Sequence, residues 1–224
     1  MAVNIDNLII TTPVPKSASN PVALEVTGAQ ALASLTNVVA RQSDGSIRMT
    51  APTKGASSKS THRTRCEWKE PVYWSLGSAA RHRNHQTMTL EKVNQAQKVV
   101  IAQLHVKDNN SPPIKVFWNK GKITVGFRSD FNQATPANST VLAEVPLGAR
   151  FDVSIVVSED GACTVSASSN GRSGTTTALQ LAPSWATQTL NFHGGVYNQV
   201  DYSNDTPPGD ASVCVISALE LSHE

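Results

Sequence analysis

The stretch NFHGGVYNQ, residues 191–199, alternates between two kinds of side chain. Its odd-numbered positions are polar, glycine or tyrosine, whereas Phe192 and Val196 between them are apolar. Neighbouring side chains of a β-strand point to opposite faces of the sheet, so this pattern predicts a strand with one polar and one apolar face. Only three tyrosines occur in the chain. The position of Tyr197 on the polar face therefore raises the question of what it does there.

The rest of the chain continues this pattern. Short alternating or β-branched runs, such as KVVIAQLHV, PIKVFWN, KITVGFR and RFDVSIVVS, are separated by turn-forming clusters such as DNNSPP, NKGK and SEDGA. Two stretches, VTGAQALASL at 26–35 and LAPSWA at 181–186, instead favour a short helix or helical turn. Many short strands separated by turn-forming residues predict an all-β sandwich or barrel.

Length and composition limit the possibilities. The chain has 224 residues, 39% of them hydrophobic and 16% charged, which suffices for one sizeable core, and we predict a single domain over residues 1–224. Lysine and arginine number 19 against 17 acidic residues. This near balance argues against nucleic-acid binding through a basic surface, so an anionic partner would have to bind in a local groove.

Neither a membrane span nor a signal peptide is evident in the sequence. No run of eighteen or more apolar residues occurs, and the N-terminal residues lack a basic region followed by an apolar core and a cleavage site. We predict no membrane partner and leave the localisation open: secreted or periplasmic if a signal was removed, otherwise cytoplasmic.

The three cysteines, Cys66, Cys163 and Cys214, show no CxxC spacing. This argues against a zinc site and against a dense disulfide framework. Cys163 and Cys214 both lie in predicted strands and could form a bridge, but buried free thiols are the favoured interpretation.

The parity of several predicted strands gathers polar side chains on one face. If these strands are neighbours in one curved sheet, the polar rows line a groove. A solvated outer face would be richer in lysine, glutamate and threonine, whereas glutamine, histidine, tyrosine and arginine can also orient a ligand. The rows contain Arg63, Arg65, Glu67, Lys69, Gln103, His105, Lys115, Arg128, His193, Tyr197 and Gln199.

Three of these strands resemble the motifs of the alginate lyases of polysaccharide lyase family 7. RCEWKE, residues 65–70, resembles R-x-E-x-(R/K)-E, and QLH, residues 103–105, resembles Q-(I/V)-H. NFHGGVYNQ resembles the family's Y-F-K-A-G-x-Y-x-Q strand. The motifs occur in the family's order, and the resemblance extends over nearly the whole chain, to the closing LELSHE.

This resemblance implies a β-jelly roll sandwich of two antiparallel sheets with a concave groove for an acidic polysaccharide. It also implies cleavage of the 1,4-glycosidic bond by β-elimination, which leaves an unsaturated 4-deoxy uronate at the non-reducing end. Arg65 and Gln103 would stabilise the charge that develops on the sugar carboxylate. Tyr197 would act as base and acid on mannuronate, whereas on guluronate His105 would be the base and Tyr197 the acid.

The remaining groove positions are predicted to bind or position substrate. Glu67 is expected to hold Arg65 or Lys69 by an ion pair. His193 stands where the family has lysine, so we expect a cation that depends on pH instead of a permanent one. The predicted substrate-binding residues are Arg63, Glu67, Lys69, Lys115, Arg128, His193 and Gln199.

Departures from the family motifs leave the choice of polymer open. Asn191 replaces a usual tyrosine and Leu104 a usual isoleucine or valine, and together with His193 they admit a related polyuronate such as glucuronan. A non-catalytic carbohydrate-binding module would also need a polar groove, but aromatic platforms are scarce at 5% aromatic content. A glycosidase would need two carboxylates, and only Glu67 has the right parity.

No metal or other cofactor is expected, because Arg65 and Gln103 can neutralise the substrate carboxylate and no calcium-loop spacing occurs. We predict a monomer. Four histidines are given no role and are expected in turns or at the surface: His62, His82, His85 and His223.

Overall fold

A computed structural model describes residues 2–224 and consists mostly of β-strands. One short helix, α1 (Gly28–Ser34), and two single 3-10 turns, Leu76–Ser78 and Pro183–Trp185, complete the regular structure of these residues. The strands are β1 (Ile9–Ser17), β2 (Asn20–Thr27), β3 (Val39–Arg41), β4 (Ile47–Pro52), β5 (Arg65–Lys69), β6 (Arg81–Lys92), β7 (Lys98–Val106), β8 (Ile114–Asn119), β9 (Lys122–Phe127), β10 (Ala137–Leu142), β11 (Arg150–Ser158), β12 (Ala162–Ser169), β13 (Arg172–Thr175), β14 (Leu179–Gln180), β15 (Leu190–Asn198) and β16 (Ala211–His223).

The strands form two antiparallel sheets. The front sheet has the order β10-β9-β8-β7-β15-β5-β1-β2. The back sheet has the order β13-β12-β11-β6-β16-β4-β3, with β14 added beside β12. The predicted all-β jelly-roll sandwich is confirmed, and so are the two predicted short helical segments near residues 28 and 183.

The core lies between the sheets. Trp68 and Phe192 of the front sheet and Met88 and Phe151 of the back sheet are almost completely buried. Trp68 and Phe192 alternate along their strands with polar residues, as the parity argument requires. The opposite face of the front sheet is therefore the one that carries the polar rows.

All three cysteines are buried and free. The alternative bridge between Cys163 and Cys214 is not formed, in agreement with the favoured interpretation. Among residues 2–224, no helix has the length and apolar character that a bilayer span requires.

Two bulges change the parity of the front sheet near its centre. β15 carries one extra residue relative to β7 just before Tyr197, and β7 carries one relative to β8 just after Val100. Val100 therefore shares the polar face with Gln103 although the two are three positions apart, a spacing that would put them on opposite faces of a regular strand. Val100, Phe117 and Tyr197 form a small apolar cluster there, separate from the core.

Gly195 is the residue that allows the bulge in β15. Its φ is +119°, a region that residues with a side chain rarely adopt. A Cβ atom on Gly195 would lie 2.5 Å from the carbonyl oxygen of Cys66 and 3.2 Å from the Cα of Glu67. The two backbones thus approach more closely than any other residue would permit.

We expect Gly195→Ala to lower the free energy of unfolding by at least about 1–3 kcal/mol, because alanine would add both backbone strain and the clash with β5. Urea denaturation followed by tryptophan fluorescence measures this change. Gly77→Ala is the matched control, since nothing lies within 4 Å of a Cβ at that position, and it should change stability by less than about 0.5 kcal/mol. Equal stability of the two variants would contradict the role of Gly195.

Candidate active site

A groove of about 470 Å³ crosses the polar face of the front sheet. It brings together all four residues predicted to be catalytic: Arg65, Gln103, His105 and Tyr197. Four of the predicted substrate-binding residues line it as well: Glu67, Lys69, Lys115 and His193.

Strand pairing explains this convergence. β15 lies between β5 and β7, so that Tyr197 is opposite Arg65 and His193 is opposite Gln103. On the far side of β7, Gln103 is opposite Lys115 of β8. Side chains paired in this way lie on the same face with their Cβ atoms about 4.5–5.5 Å apart. Residues distant in sequence are therefore neighbours in the groove.

Glu67 holds two of the catalytic candidates. Its buried carboxylate accepts a 2.6 Å hydrogen bond from Gln103 Nε2 and a 3.2 Å bond from Arg65 Nη1. The residue of β15 that pairs with Glu67 is Gly195, so no side chain separates Glu67 on β5 from Gln103 on β7. Burial raises the pKa of Glu67, although the charge of Arg65 and the hydrogen bond from Gln103 oppose this. Of the two cations considered, Glu67 pairs with Arg65 and not with Lys69.

Arg65 also packs on Tyr197. Its guanidinium carbon lies 3.7 Å from the centre of the tyrosine ring, a cation–π contact. Lys115 Nζ lies 5.9 Å from the same ring, which also contacts the apolar Val100 and Phe117. Only 8% of Tyr197 is exposed. The phenol ring is thus held in place by the cations of Arg65 and Lys115 and by the apolar side chains of Val100 and Phe117.

His105 and His193 stack with their ring centres 4.5 Å apart and their planes 5° from parallel. Burial lowers the pKa of His105 to about 4, and the charges of Arg65 and Lys115 contribute. Among residues 2–224, Nδ1 of His105 is buried without a hydrogen-bond partner. His105 is therefore a neutral imidazole at neutral pH, and Nε2 is the nitrogen that can meet a ligand.

The prediction that His193 supplies a pH-dependent cation near neutrality is wrong. Burial lowers its pKa well below the ordinary value, and the neighbouring His105 and Lys69 lower it further. The amide nitrogen of Asn191 donates to the carbonyl oxygen of Glu70 at 2.9 Å, so the Asn191 oxygen faces His193 and accepts from its Nε2 at 3.0 Å. This arrangement fixes a neutral His193 with its hydrogen on Nε2.

Lys115 is the most strongly perturbed cation of the groove. Burial lowers the pKa of its ammonium group to about 8; Glu67 opposes this shift, whereas the charges of Arg65 and Arg128 add to it. Lys115 is therefore positively charged at neutral pH and loses its charge in mildly alkaline solution.

Three predicted substrate-binding residues do not line the groove. Arg63 pairs with Asp201 at 3.2 Å and donates to Gln199 Oε1 at 3.4 Å. Arg128 donates to three backbone carbonyls of neighbouring loops. Contact of Arg63, Arg128 or Gln199 with a substrate stays a prediction.

Several groove residues were not singled out by sequence reasoning. Thr11 and Glu25 face each other across the β1–β2 hairpin, and that pairing is not evident from either strand alone. The only indication in the sequence was the alternation of side chains along each strand, which places Thr11 and Glu25 each on one face of its own strand. The additional lining residues include Thr11, Lys16, Glu25, Ser58, Ser60, Thr61, Tyr73 and Asn110.

A buried polar cluster anchors β15 behind the groove. Glu70 Oε2 accepts hydrogen bonds from Phe192 N at 2.8 Å and from Trp74 Nε1 at 2.9 Å, and Glu70 Oε1 lies 2.8 Å from His223 Nε2. Glu70 follows β5 directly, and His223 ends β16 of the back sheet. The cluster therefore joins the two sheets at the strand that carries His193 and Tyr197.

The hydrogen-bond pattern defines the proton positions in this cluster. His82 Nε2 lies 3.0 Å from the carbonyl oxygen of Leu76 and must donate to it. Burial lowers the pKa of His82, which keeps it neutral, so its Nδ1 accepts from His223 Nδ1 at 2.7 Å. His223 Nδ1 thus donates to His82, and a proton shared between His223 Nε2 and Glu70 Oε1 closes the 2.8 Å contact. The expectation that His82 lies in a turn or at the surface is wrong, since it is a fully buried residue of β6.

Glu70→Gln should lower the free energy of unfolding by roughly 1–3 kcal/mol, because an amide cannot accept all the hydrogen bonds that the buried carboxylate accepts from Phe192 N, Trp74 Nε1 and His223. The same substitution at Glu224 is the control, since its ion pair with Arg81 is exposed and should contribute less than about 1 kcal/mol. Urea unfolding at pH 7 compares the two variants. A Glu70→Gln protein as stable as the Glu224→Gln protein would show that the hydrogen bonds of Glu70 do not stabilise the fold.

The family model for alginate lyase matches residues 3–223. No curated protein sequence matches the chain.

Several solved structures share its fold. Alginate lyase PA1167 from Pseudomonas aeruginosa is 24% identical with a TM-score of 0.82, over 99% of this chain and 100% of that one. An alginate lyase from Klebsiella pneumoniae is 17% identical with a TM-score of 0.80, over 98% and 96%. A variant of the family 7 alginate lyase A1-II' in complex with product (GGG) is 16% identical with a TM-score of 0.79, over 99% and 97%. At these identities the likeness establishes the common fold.

Proposed function

The chain belongs to the alginate lyase family, and from that membership we propose that it cleaves alginate by β-elimination with Arg65, Gln103, His105 and Tyr197 as its catalytic groups. The enzyme class follows from the family: it is a polysaccharide lyase acting on alginate. The roles of the four residues are our proposal. The observation that supports them is the convergence of all four in one groove.

The first requirement of the reaction is to stabilise a carboxylate. Removal of the C5 proton of a uronate places negative charge on the adjacent C6 carboxylate. Arg65 and the second N–H of Gln103 can donate charge-assisted hydrogen bonds to that group. Because Glu67 already holds both side chains, they need little reorganisation when the charge develops.

The second requirement is proton transfer at both ends of the breaking bond. As the C5–H bond breaks, its electron pair forms the C4–C5 double bond, the C4–O4 bond breaks and O4 takes up a proton. Neutral His105 can accept the C5 proton of guluronate while Tyr197 protonates O4. For mannuronate, in which both groups lie on one side of the ring, Tyr197 can act at both. The site thus contains groups for either stereochemistry.

The direct test is incubation with mannuronate-rich alginate, guluronate-rich alginate and glucuronan, with ultraviolet absorbance reporting the unsaturated product. We expect absorbance to rise with at least one alginate. A protein that acts on glucuronan alone would contradict the proposed substrate, and a protein that acts on none would contradict the proposed reaction.

Tyr197→Phe should lower kcat by at least about 100-fold, because the proton donor for O4 is lost. Circular dichroism should be unchanged, since the ring and its contact with Arg65 remain. Tyr202→Phe removes a hydroxyl that does not line the groove and should retain the wild-type rate. Undiminished turnover by the Tyr197→Phe protein would assign proton transfer to another group.

Lys115 gives a prediction for the pH profile. It is charged below pH about 8, so kcat/KM, which reports the free enzyme, should decline as the pH rises through that value and the groove loses a cation. Lys115→Arg keeps the charge and should move the decline to higher pH. The control is Lys92→Arg. The ammonium group of Lys92 donates to Gly209 O outside the groove, so this variant should keep the wild-type pH profile. The same alkaline decline in the Lys115→Arg protein would disprove the assignment.

A further inference from the structure

The groove continues beyond the catalytic residues. A second depression of about 430 Å³ adjoins it and extends to the start of α1, where Thr27 and Gln30 line it. The two depressions share three lining residues: Glu25, Lys69 and Tyr73. A polysaccharide chain that follows the groove out of the catalytic region therefore passes over these side chains.

Lys69 and Glu25 form an ion pair at this junction. Lys69 Nζ lies 2.6 Å from Glu25 Oε1, and the same oxygen accepts from Thr11 Oγ1 at 2.8 Å. Burial opposes ionisation of Glu25, but Lys69 and Thr11 outweigh it and lower its pKa. Glu25 is therefore a carboxylate at neutral pH, and the charge of Lys69 is compensated within the protein.

The position of an acidic side chain here is unexpected for a groove that binds a polyanion. Glu67, the other carboxylate of the groove, is buried and holds catalytic groups, whereas 46% of the Glu25 side chain is exposed. Among residues 2–224, no hydrogen bond is made to Glu25 Oε2. An exposed carboxylate oxygen repels another carboxylate but accepts a hydrogen bond from a hydroxyl group.

We propose that Glu25 determines how the sugar unit at this junction is recognised. By binding the Lys69 ammonium group, Glu25 withholds that cation from the substrate carboxylate and offers an acceptor to a sugar hydroxyl. The subsite therefore selects a uronate through its hydroxyl groups and leaves its carboxylate in water. This inference rests on the proposed function, because it assumes a uronate polymer in the groove.

The opposite role for Glu25 would be to orient Lys69 toward the substrate carboxylate. The two roles predict effects of opposite sign when the negative charge is removed. If Glu25 withholds the cation, its loss strengthens binding of an acidic polymer. If Glu25 orients the cation, its loss weakens binding.

Glu25→Gln separates the two roles, because glutamine keeps the shape and an acceptor for Thr11 but no longer neutralises Lys69. In the Tyr197→Phe background, which keeps polymer intact, calorimetric titration should show alginate binding roughly threefold to tenfold tighter, the scale of one partly screened unit charge. The affinity should also fall more steeply with added salt, since one more cation of the groove meets the polymer.

Glu91→Gln is the matched control. Glu91 pairs with Arg48 at 2.7 Å on the back sheet, with 44% of its side chain exposed, so the substitution changes the net charge equally but outside the groove. It should leave the affinity for alginate unchanged. Equal tightening in both variants would overturn the proposal, because the effect would then reflect the net charge of the protein.

A second polymer tests the part played by the substrate carboxylate. Carboxyl-reduced alginate keeps the sugar hydroxyls but is neutral, so Glu25→Gln should give no gain with it. Unchanged or weaker binding of alginate by Glu25→Gln, or an equal gain with both polymers, would overturn the proposal. Failure of the wild-type protein to release unsaturated product would refute only the proposed reaction, since these binding measurements do not depend on turnover.

Discussion

The site depends on one buried carboxylate that is shared between two strands. A buried charge is stable only when donors surround it, and Glu67 finds them in Arg65 on its own strand and Gln103 two strands away. The intervening strand makes this possible because its paired residue is Gly195. The ion pair, the amide contact and the bulge therefore depend on one another, and together they orient Arg65 and Gln103, two of the groups that we propose as catalytic.

The electrostatics of the groove follow from the close packing of cations and imidazole rings on β5, β7, β8 and β15. Arg65, Lys69 and Lys115 surround two stacked imidazoles, and burial together with these charges keeps both rings neutral. A neutral ring among cations can take a proton from an anionic substrate that the cations attract. The two carboxylates act differently: Glu67 accepts from Arg65 Nη1 and orients the guanidinium in the groove, whereas Glu25 pairs with the Lys69 ammonium group at the junction. The cations of the groove therefore differ in how much of their charge a carboxylate of the protein already compensates.

Strand parity predicted the inward and outward faces of β5, β7 and β15 because alternation is a local property of a strand. The family motifs selected the four groups that meet in the groove. Sequence did not reveal the partnership of Glu25 with Lys69, because it depends on which non-adjacent strands pair and in what register. The neutral state of His193 was missed for a similar reason: its burial and its contact with His105 arise from tertiary packing. His82 was also misplaced, since its partners Leu76 and His223 come from distant segments.

The cluster of Glu70, His82 and His223 has a consequence for the order of assembly. β16 is a central strand of the back sheet, between β6 and β4, and His223 at its end completes the contacts that anchor β15. Long-range pairings of this kind form late and slowly. During synthesis, β15 can therefore pair with β5 and β7 before β16 is available, but it gains its contact with the back sheet through His223 only when residues 211–223 have joined that sheet.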